Sequence, residues 1–308
     1  MRPCNLIVLG VCLGACMIPP RVRAQAPAAG PLVLLLPTSV RATALGNAWV
    51  AGRDEYSIFY NPAQLVATNG IGAAFGRYDW NGTSGAITSG VTIGPITYGW
   101  GVELAEFKAR TSATYPFALD ELVQRGTRDA MSFVASGGMN YVIKGFRTGV
   151  AIKYAEDRVD GYTSAGLVGA PVRNGFLLGD LGASHPFMSG TAALSVQHIG
   201  DHSSLRLPMQ TTLGWAAQKP VGEFDMAFTA QVSERNNWVG GGGGIEAGYG
   251  WIEGWSVAAR AGAHRTETSA QRPFTMGGSL NADRLVLDYA LEFFEHRQLA
   301  HHIAIRWR

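Results

Sequence analysis

From Ile71 to the end of the chain, hydrophobic and polar positions alternate with a period of two. Ile96, Tyr98, Trp100, Val102 and Leu104 are interleaved with Thr97, Gly99, Gly101 and Glu103. The same pattern sets Phe146, Val150, Ile152 and Tyr154 against Arg147, Gly149, Ala151 and Lys153, and Leu285, Leu287, Tyr289 and Leu291 against Val286, Asp288, Ala290 and Glu292. One face is apolar with aromatic ends and the other is small, polar or charged, which is the signature of β-strands. Turn residues divide this region into about 14 strands. They lie near 71–79, 84–93, 96–107, 130–142, 146–156, 173–185, 190–199, 207–218, 223–234, 242–250, 255–265, 273–281, 285–295 and 300–308. Their lengths cluster near the roughly 9 to 11 residues that cross a bilayer at a tilt.

The connections add a second regularity. Gly94-Pro95 and the turns at 143–146, 187–190, 219–222, 250–254 and 281–284 are tight, whereas 108–129, 157–172, 200–206, 235–241 and 266–272 are longer and polar. Short turns at one rim and longer loops at the other are the pattern of a transmembrane barrel. Trp100, Tyr154, Trp215, Trp251, Trp255, Tyr289 and Trp307 fall near strand ends, where amphipathic rings sit at a headgroup interface. The final strand, with Ile303, Ile305 and Trp307 on one face, has to pair with the first, because a closed barrel has no free edge. The expectation is an all-β, antiparallel transmembrane β-barrel of about 14 strands, in contact with outer-membrane lipid. The near-terminal Trp307 resembles the signal read by barrel-assembly machinery.

Ahead of the strands the period is different. Ala42 to Ala51 is an Ala-rich run with Ser39 placed as N-cap and Gly52 as the residue that closes a helix. Tyr60-Asn61-Pro62-Ala63 follows, where the proline holds its predecessor extended. This stretch is too apolar for a free linker and too short for a domain, so it has to pack inside something. The organisation expected is 1–24 signal peptide, 25–70 an N-terminal segment, which the family resemblance given below implies is a hatch inside the lumen, and 71–308 barrel.

Composition narrows the chemistry. Of 308 residues 47% are hydrophobic and 16% charged, and the net charge of +2 offers no basic field for nucleic acid. Arg2, the apolar run Leu6–Ile18 and Val22-Arg23-Ala24 read as an export signal. Leu13-Gly14-Ala15-Cys16 reads alternatively as a lipobox that would leave Cys16 lipidated. All three cysteines (Cys4, Cys12, Cys16) lie in this leader, so its removal leaves no thiol for a disulfide, a zinc site or a nucleophile. His296, His301 and His302 are expected in an exposed loop without the partners a metal needs. Gly240 to Gly244 reads as a loop-to-strand run with no helix behind it, and no Gly-x-Ser-x-Gly elbow is present. Neither a cofactor nor an enzymatic activity is expected.

Ala44-Leu45-Gly46-Asn47-Ala48-Trp49-Val50-Ala51, followed by Ser57 to Leu65 with its Asn-Pro-Ala, resembles the plug signature of the FadL superfamily of outer-membrane barrels. Leu207 to Gly214, Gly244-Ile245-Glu246 with Arg260-Ala261-Gly262, and Leu287-Asp288-Tyr289-Ala290 are most similar to its PorV/PorQ branch. The PorV resemblance implies a component of type IX-like protein secretion that binds secreted proteins or machinery at the outer rim. The FadL resemblance implies instead a passive channel for long-chain fatty acids or other small hydrophobic molecules, in which the hatch moves. Either places the chain in a Gram-negative-type outer membrane. The hatch residues it points to are Gly46, Tyr60, Asn61, Pro62 and Ala63. The lumen-facing charges expected from the strand period are Glu103, Arg147, Lys153, Asp225, Glu246, Arg260, Asp288, Glu292 and Arg306. These form either a polar conduit or, because buried charges need partners, a set of ion pairs that hold the hatch.

Overall fold

The computed structural model of the protein describes residues 31–66, 68–78, 82–107, 130–162, 168–200, 208–235, 238–267 and 271–307. The proposed leader and its cysteines lie outside the described residues. The alternating region folds as β1 (Thr68–Tyr78), β2 (Gly82–Ile93), β3 (Ile96–Phe107), β4 (Ala130–Ile143), β5 (Phe146–Tyr162), β6 (Val168–Phe187) and β7 (Gly190–Gly200). It continues as β8 (Gln210–Val221), β9 (Phe224–Arg235), β10 (Trp238–Ile252), β11 (Trp255–His264), β12 (Gln271–Ala282), β13 (Leu285–Phe294) and β14 (Leu299–Trp307). Each strand pairs with its chain neighbours, and β14 closes on β1 from Gly72↔Arg306 to Tyr78↔Ala300. The result is a closed antiparallel barrel of 14 strands.

The period of two decides which face meets lipid. In β3, Tyr98, Trp100, Val102 and Leu104 are exposed on the outside, whereas Gly99, Gly101, Glu103, Ala105 and Phe107 are buried within. In β5, Ile152 is 66% exposed beside Lys153 at 1%. No soluble protein presents so continuous an apolar outer surface to water, and the inverted polarity fits a wall with lipid outside and polar groups within.

Two strand pairs run further than the sequence pattern suggests. The segment expected as a loop at 157–172 carries the β5–β6 ladder onward through Val159↔Val172 to Tyr162↔Val168. Backbone pairing continues there although the apolar alternation has ended, because a hairpin beyond the bilayer no longer needs an apolar outer face. Likewise 235–241 is not a long loop. Strand β10 already pairs at Trp238↔Arg235 and Gly240↔Ser233, so the glycine run lies within a strand.

Between β6 and β7 the ladder is interrupted. Gly179 pairs with Ile199 and Leu181 with Val196, so Asp180 faces both Gln197 and His198, the latter at φ 60°. This β-bulge turns Asp180 and His198 into the interior, where both are buried.

Candidate functional site

Residues 31–66 form an inner segment that meets the inward face of the whole wall. A five-residue helix, α1 (Val40–Ala44), starts at Ser39, whose hydroxyl accepts from Ala42 N. It ends earlier than the Ala-rich run predicts. Gly46, at φ 67°, leaves the helix in the left-handed region, and Gly52 has no part in closing it. Propensity is overridden by the wall: Gly46 packs on Ala263, Gly242 and Gly262, where added Cβ atoms at the two wall glycines would overlap Gly46 backbone. The 240–244 run therefore supplies room for the inner segment.

Further along, Asp54 caps the 3-10 turn Glu55–Phe59 through a reciprocal pair, Tyr56 N to Asp54 Oδ1 (3.0 Å) and Asp54 N to Ser57 Oγ (3.0 Å). Asn61 then caps the turn Pro62–Gln64, accepting from Ala63 N (3.0 Å) and donating to Val50 O (2.9 Å). Asn61 and Ala63 are fully buried against Gly182, and Pro62 against Gly149, where added Cβ atoms would overlap them. Tyr60, half-buried, accepts from Ser39 N through its hydroxyl (3.0 Å) and from Ser195 Oγ through its carbonyl (2.9 Å). All five expected hatch residues thus lie in this inner segment.

Inward-facing wall residues hold its backbone. The Gln231 amide accepts from Trp49 N (2.9 Å) and Val50 N (3.0 Å) and donates to Asn47 O (2.7 Å). Thr229 donates to Ala48 O (2.6 Å), Asn140 to Leu65 O (2.9 Å) and Gln197 to Phe59 O (2.5 Å). Sequence reasoning did not single out these polar residues, although each sits on the inward register of its strand.

The charges fall into groups. Arg41 of α1 bonds Glu246 (2.6 Å), Glu246 accepts from Arg260, Arg260 donates to Asp288 (2.7 Å), and Asp288 accepts from Arg306 (2.7 Å). Arg306 then meets Glu55 of the inner segment at 3.2 Å. The chain of pairs begins and ends on the inner segment and runs through β10, β11, β13 and β14 between. A second group joins Lys153 to Asp180 (2.6 Å), with His198 N donating to Asp180 (2.9 Å). Thr38 donates to Glu103 (2.6 Å). Glu292 meets His302 at 3.0 Å, so His302 is buried in the wall and not in an exposed loop; β14 begins at Leu299 and carries it inward. Arg147 is half-buried and Asp225 exposed, both toward the short-turn rim, and among the described residues neither has an ion-pair partner.

The chain of pairs carries Arg41, Arg260 and Arg306 against Glu246, Asp288 and Glu55, with Asp54 adjacent to Glu55. Carboxylates exceed guanidiniums by one, and the surplus falls on the inner segment. Burial pushes the Glu55 carboxyl up to about 7, with Asp54 pushing the same way and Arg306 opposing. Burial raises Asp54 as well. Because the docked Glu55 holds its proton more tightly than a free carboxyl at 4.5, its contribution to docking is complete below 4.5 and is lost as pH rises through about 7. This is worth about 3 kcal/mol at most. Hydrogen-exchange protection of residues 54–61 in detergent should therefore fall between pH 5 and pH 8. Glu55→Gln should flatten that dependence; an unchanged slope in the variant would remove Glu55 as its source.

Two cavities flank the inner segment. The outer one, at the long-loop rim, has a volume of about 160 Å³. Leu34, Leu36 and Pro37 line one part of it, and Gln231, His264 and Glu292 another. The inner one, at the short-turn rim, has about 390 Å³ and lies between Trp49 and Arg53 of the segment and the wall at Thr191, Ala216 and Ala227. Among the described residues no cluster of His, Cys, Asp and Glu is arranged to hold a metal ion.

This architecture has counterparts among solved structures. The Ralstonia pickettii toluene transporter TbuX superposes with a TM-score of 0.59 at 14% identity, covering 87% of this chain and 97% of its own. The two chains share one closed-barrel fold. The Pseudomonas putida toluene transporter TodX gives 0.55 at 11% identity, over 92% and 98% of the two chains. A FadL homologue from Pseudomonas aeruginosa gives 0.52 at 11% identity, over 92% and 99%. No protein-family model and no curated protein sequence matches the chain. In a barrel of this kind the short turns face the periplasm and the longer loops the exterior.

Proposed function

We propose that this protein is a passive outer-membrane channel for small hydrophobic molecules, with residues 31–66 as a hatch between an outer and an inner chamber. The observation that carries this reading is the pair of cavities on opposite faces of one segment. That segment is held to the wall by hydrogen bonds and ion pairs, and its covalent tie to the barrel is at its end, where the chain runs on into β1. Displacing the segment joins the two chambers. The shared fold of TbuX and TodX, both toluene transporters by name, supports a hydrophobic cargo. The protein-secretion reading rests on strand motifs resembling PorV/PorQ, and the fold comparisons favour the channel over it.

The test is uptake of radiolabelled toluene and oleate by a Gram-negative host lacking its own hydrophobic-compound channel. Expression should raise uptake of at least one. A paired Thr38→Cys and Glu103→Cys variant, at two side chains that meet between the hatch and the wall at 2.6 Å, should pin the hatch once the thiols are bridged by a short bis-methanethiosulfonate reagent. Uptake should then stop on bridging and return with reductant. Uptake that is unaffected by the cross-link would exclude the hatch as the gate, and no gain for either compound would exclude the channel.

A further inference from the structure

The outer chamber is more selective in chemistry than a hydrocarbon passage requires. Its volume of about 160 Å³ is close to that of the roughly 150 Å³ cavity that takes one benzene ring in another protein. Leu34, Leu36, Pro37 and Phe59 give it an apolar side. The opposite side is polar, and most of its groups are already engaged. Arg235 donates to Glu267, Glu292 pairs with His302 and accepts from Gln271, and Gln231 holds the hatch backbone. These charges are therefore compensated within the wall.

Among the described residues three lining groups are left over: His264, Arg265 Nε and Asn47 Oδ1. His264 lines this chamber, is only 8% exposed, and has no well-aligned hydrogen bond at either ring nitrogen among the described residues; the Gln271 side chain lies beside it but its amide N–H is engaged on Glu292 (3.2 Å). Arg265 Nε, on the same lining, is a second buried donor without a partner. A neutral imidazole offers one donor and one acceptor, and leaving both unmet in a buried site is costly. A hydroxyl on the ligand satisfies that pattern, since it donates and accepts through one atom. A bare hydrocarbon does not.

We infer that the outer chamber is a recognition site for a neutral single-ring molecule bearing a hydroxyl, of the phenol class, with His264 as its hydrogen-bonding partner. This rests on the channel reading above and sharpens its substrate class from hydrophobic to amphipathic. Phenol and toluene differ by hydroxyl against methyl on the same ring, so they isolate the effect.

The experiment is calorimetric titration of the full-length protein in mild detergent at pH 7 with phenol and with toluene. Wild type is compared with His264→Phe and His264→Asn, each checked for native gel mobility before heating. His264→Phe should lower the ratio of phenol to toluene affinity by about tenfold or more, through loss of phenol binding. His264→Asn, which keeps a donor and an acceptor, should restore much of it. An unchanged ratio in His264→Phe, or an equal loss for both ligands, would overturn the assignment. Toluene uptake by the host that persists alongside such a result would leave the channel standing. Absence of both binding and uptake would remove the two together.

Discussion

Arg260→Met should unfold at a markedly lower temperature than the wild type when the fast-migrating barrel is followed on gels across a heating series. The guanidinium is almost wholly buried and donates to Glu246, to Asp288 (2.7 Å), to Ser279 Oγ (3.0 Å) and to Gly278 O (3.3 Å). Its removal leaves Glu246 and Asp288 with one guanidinium each, Arg41 and Arg306, in an interior that already carries more carboxylates than arginines. Breaking a buried pair by deleting one partner costs about 3–5 kcal/mol, the largest loss expected from any single charge here. Adding Asp288→Asn should recover part of the loss, since it lowers the carboxylate excess that the first change enlarges. Equal melting of Arg260→Met and wild type would mean that these pairs contribute nothing to the barrel.

Gly182→Val should open the lumen. The wall around Asn61 and Ala63 is flat at this point only because position 182 has no side chain. An added Cβ would overlap the Asn61 side-chain oxygen and come within 2.9 Å of Ala63 N. Both atoms take part in the turn that ends the inner segment, so the overlap falls on its most tightly bonded part. Overpacking of this kind costs about 1–3 kcal/mol or more, enough to shift a docked segment strongly toward its displaced state. Single-channel recordings in planar bilayers should show conductance for Gly182→Val several-fold above wild type. Gly137→Val is the control, because a Cβ there meets nothing within 4 Å and lies on the outer face. Equal conductance in all three proteins would mean that the segment does not block the pore.

What the sequence revealed follows from the range of the interactions involved. The period of two is local, so the inward placement of Glu103, Lys153, Glu246, Arg260, Asp288, Glu292 and Arg306 could be read from neighbouring residues alone. Their partners are harder to read: Glu246 with Arg260, Lys153 with Asp180, Asp288 with Arg306 and Glu292 with His302 join neighbouring strands whose register the period alone does not fix, and Arg260 with Asp288 skips a strand. Arg41 and Glu55 lie outside the strand period, which therefore does not mark them. The requirement that buried charges be paired applies equally to a segment whose own apolarity places it inside. Two of the boundaries that differ have the same origin. Ala42 to Ala51 is a good helix by propensity, yet contact with Gly242 and Gly262 bends it at Gly46. Gly240 and Gly241 read as the end of a loop, yet pairing with β9 makes them strand.

The contact between Glu55 and Arg306 also bears on how the molecule is assembled. Glu55 lies near the start of the described chain and Arg306 near its end, and Arg306 sits in the strand that closes against Gly72 of β1. Zipping β14 onto β1 and locking the inner segment are therefore one event at one seam. A chain that inserts its strands but leaves this seam open lacks both its last ladder and the anchor of its interior. Closing a loop of such long sequence separation carries an entropy cost, and at this seam the ladder and the Glu55 contact offset it together. A barrel whose ends have met has, by the same bond, fixed what lies inside it.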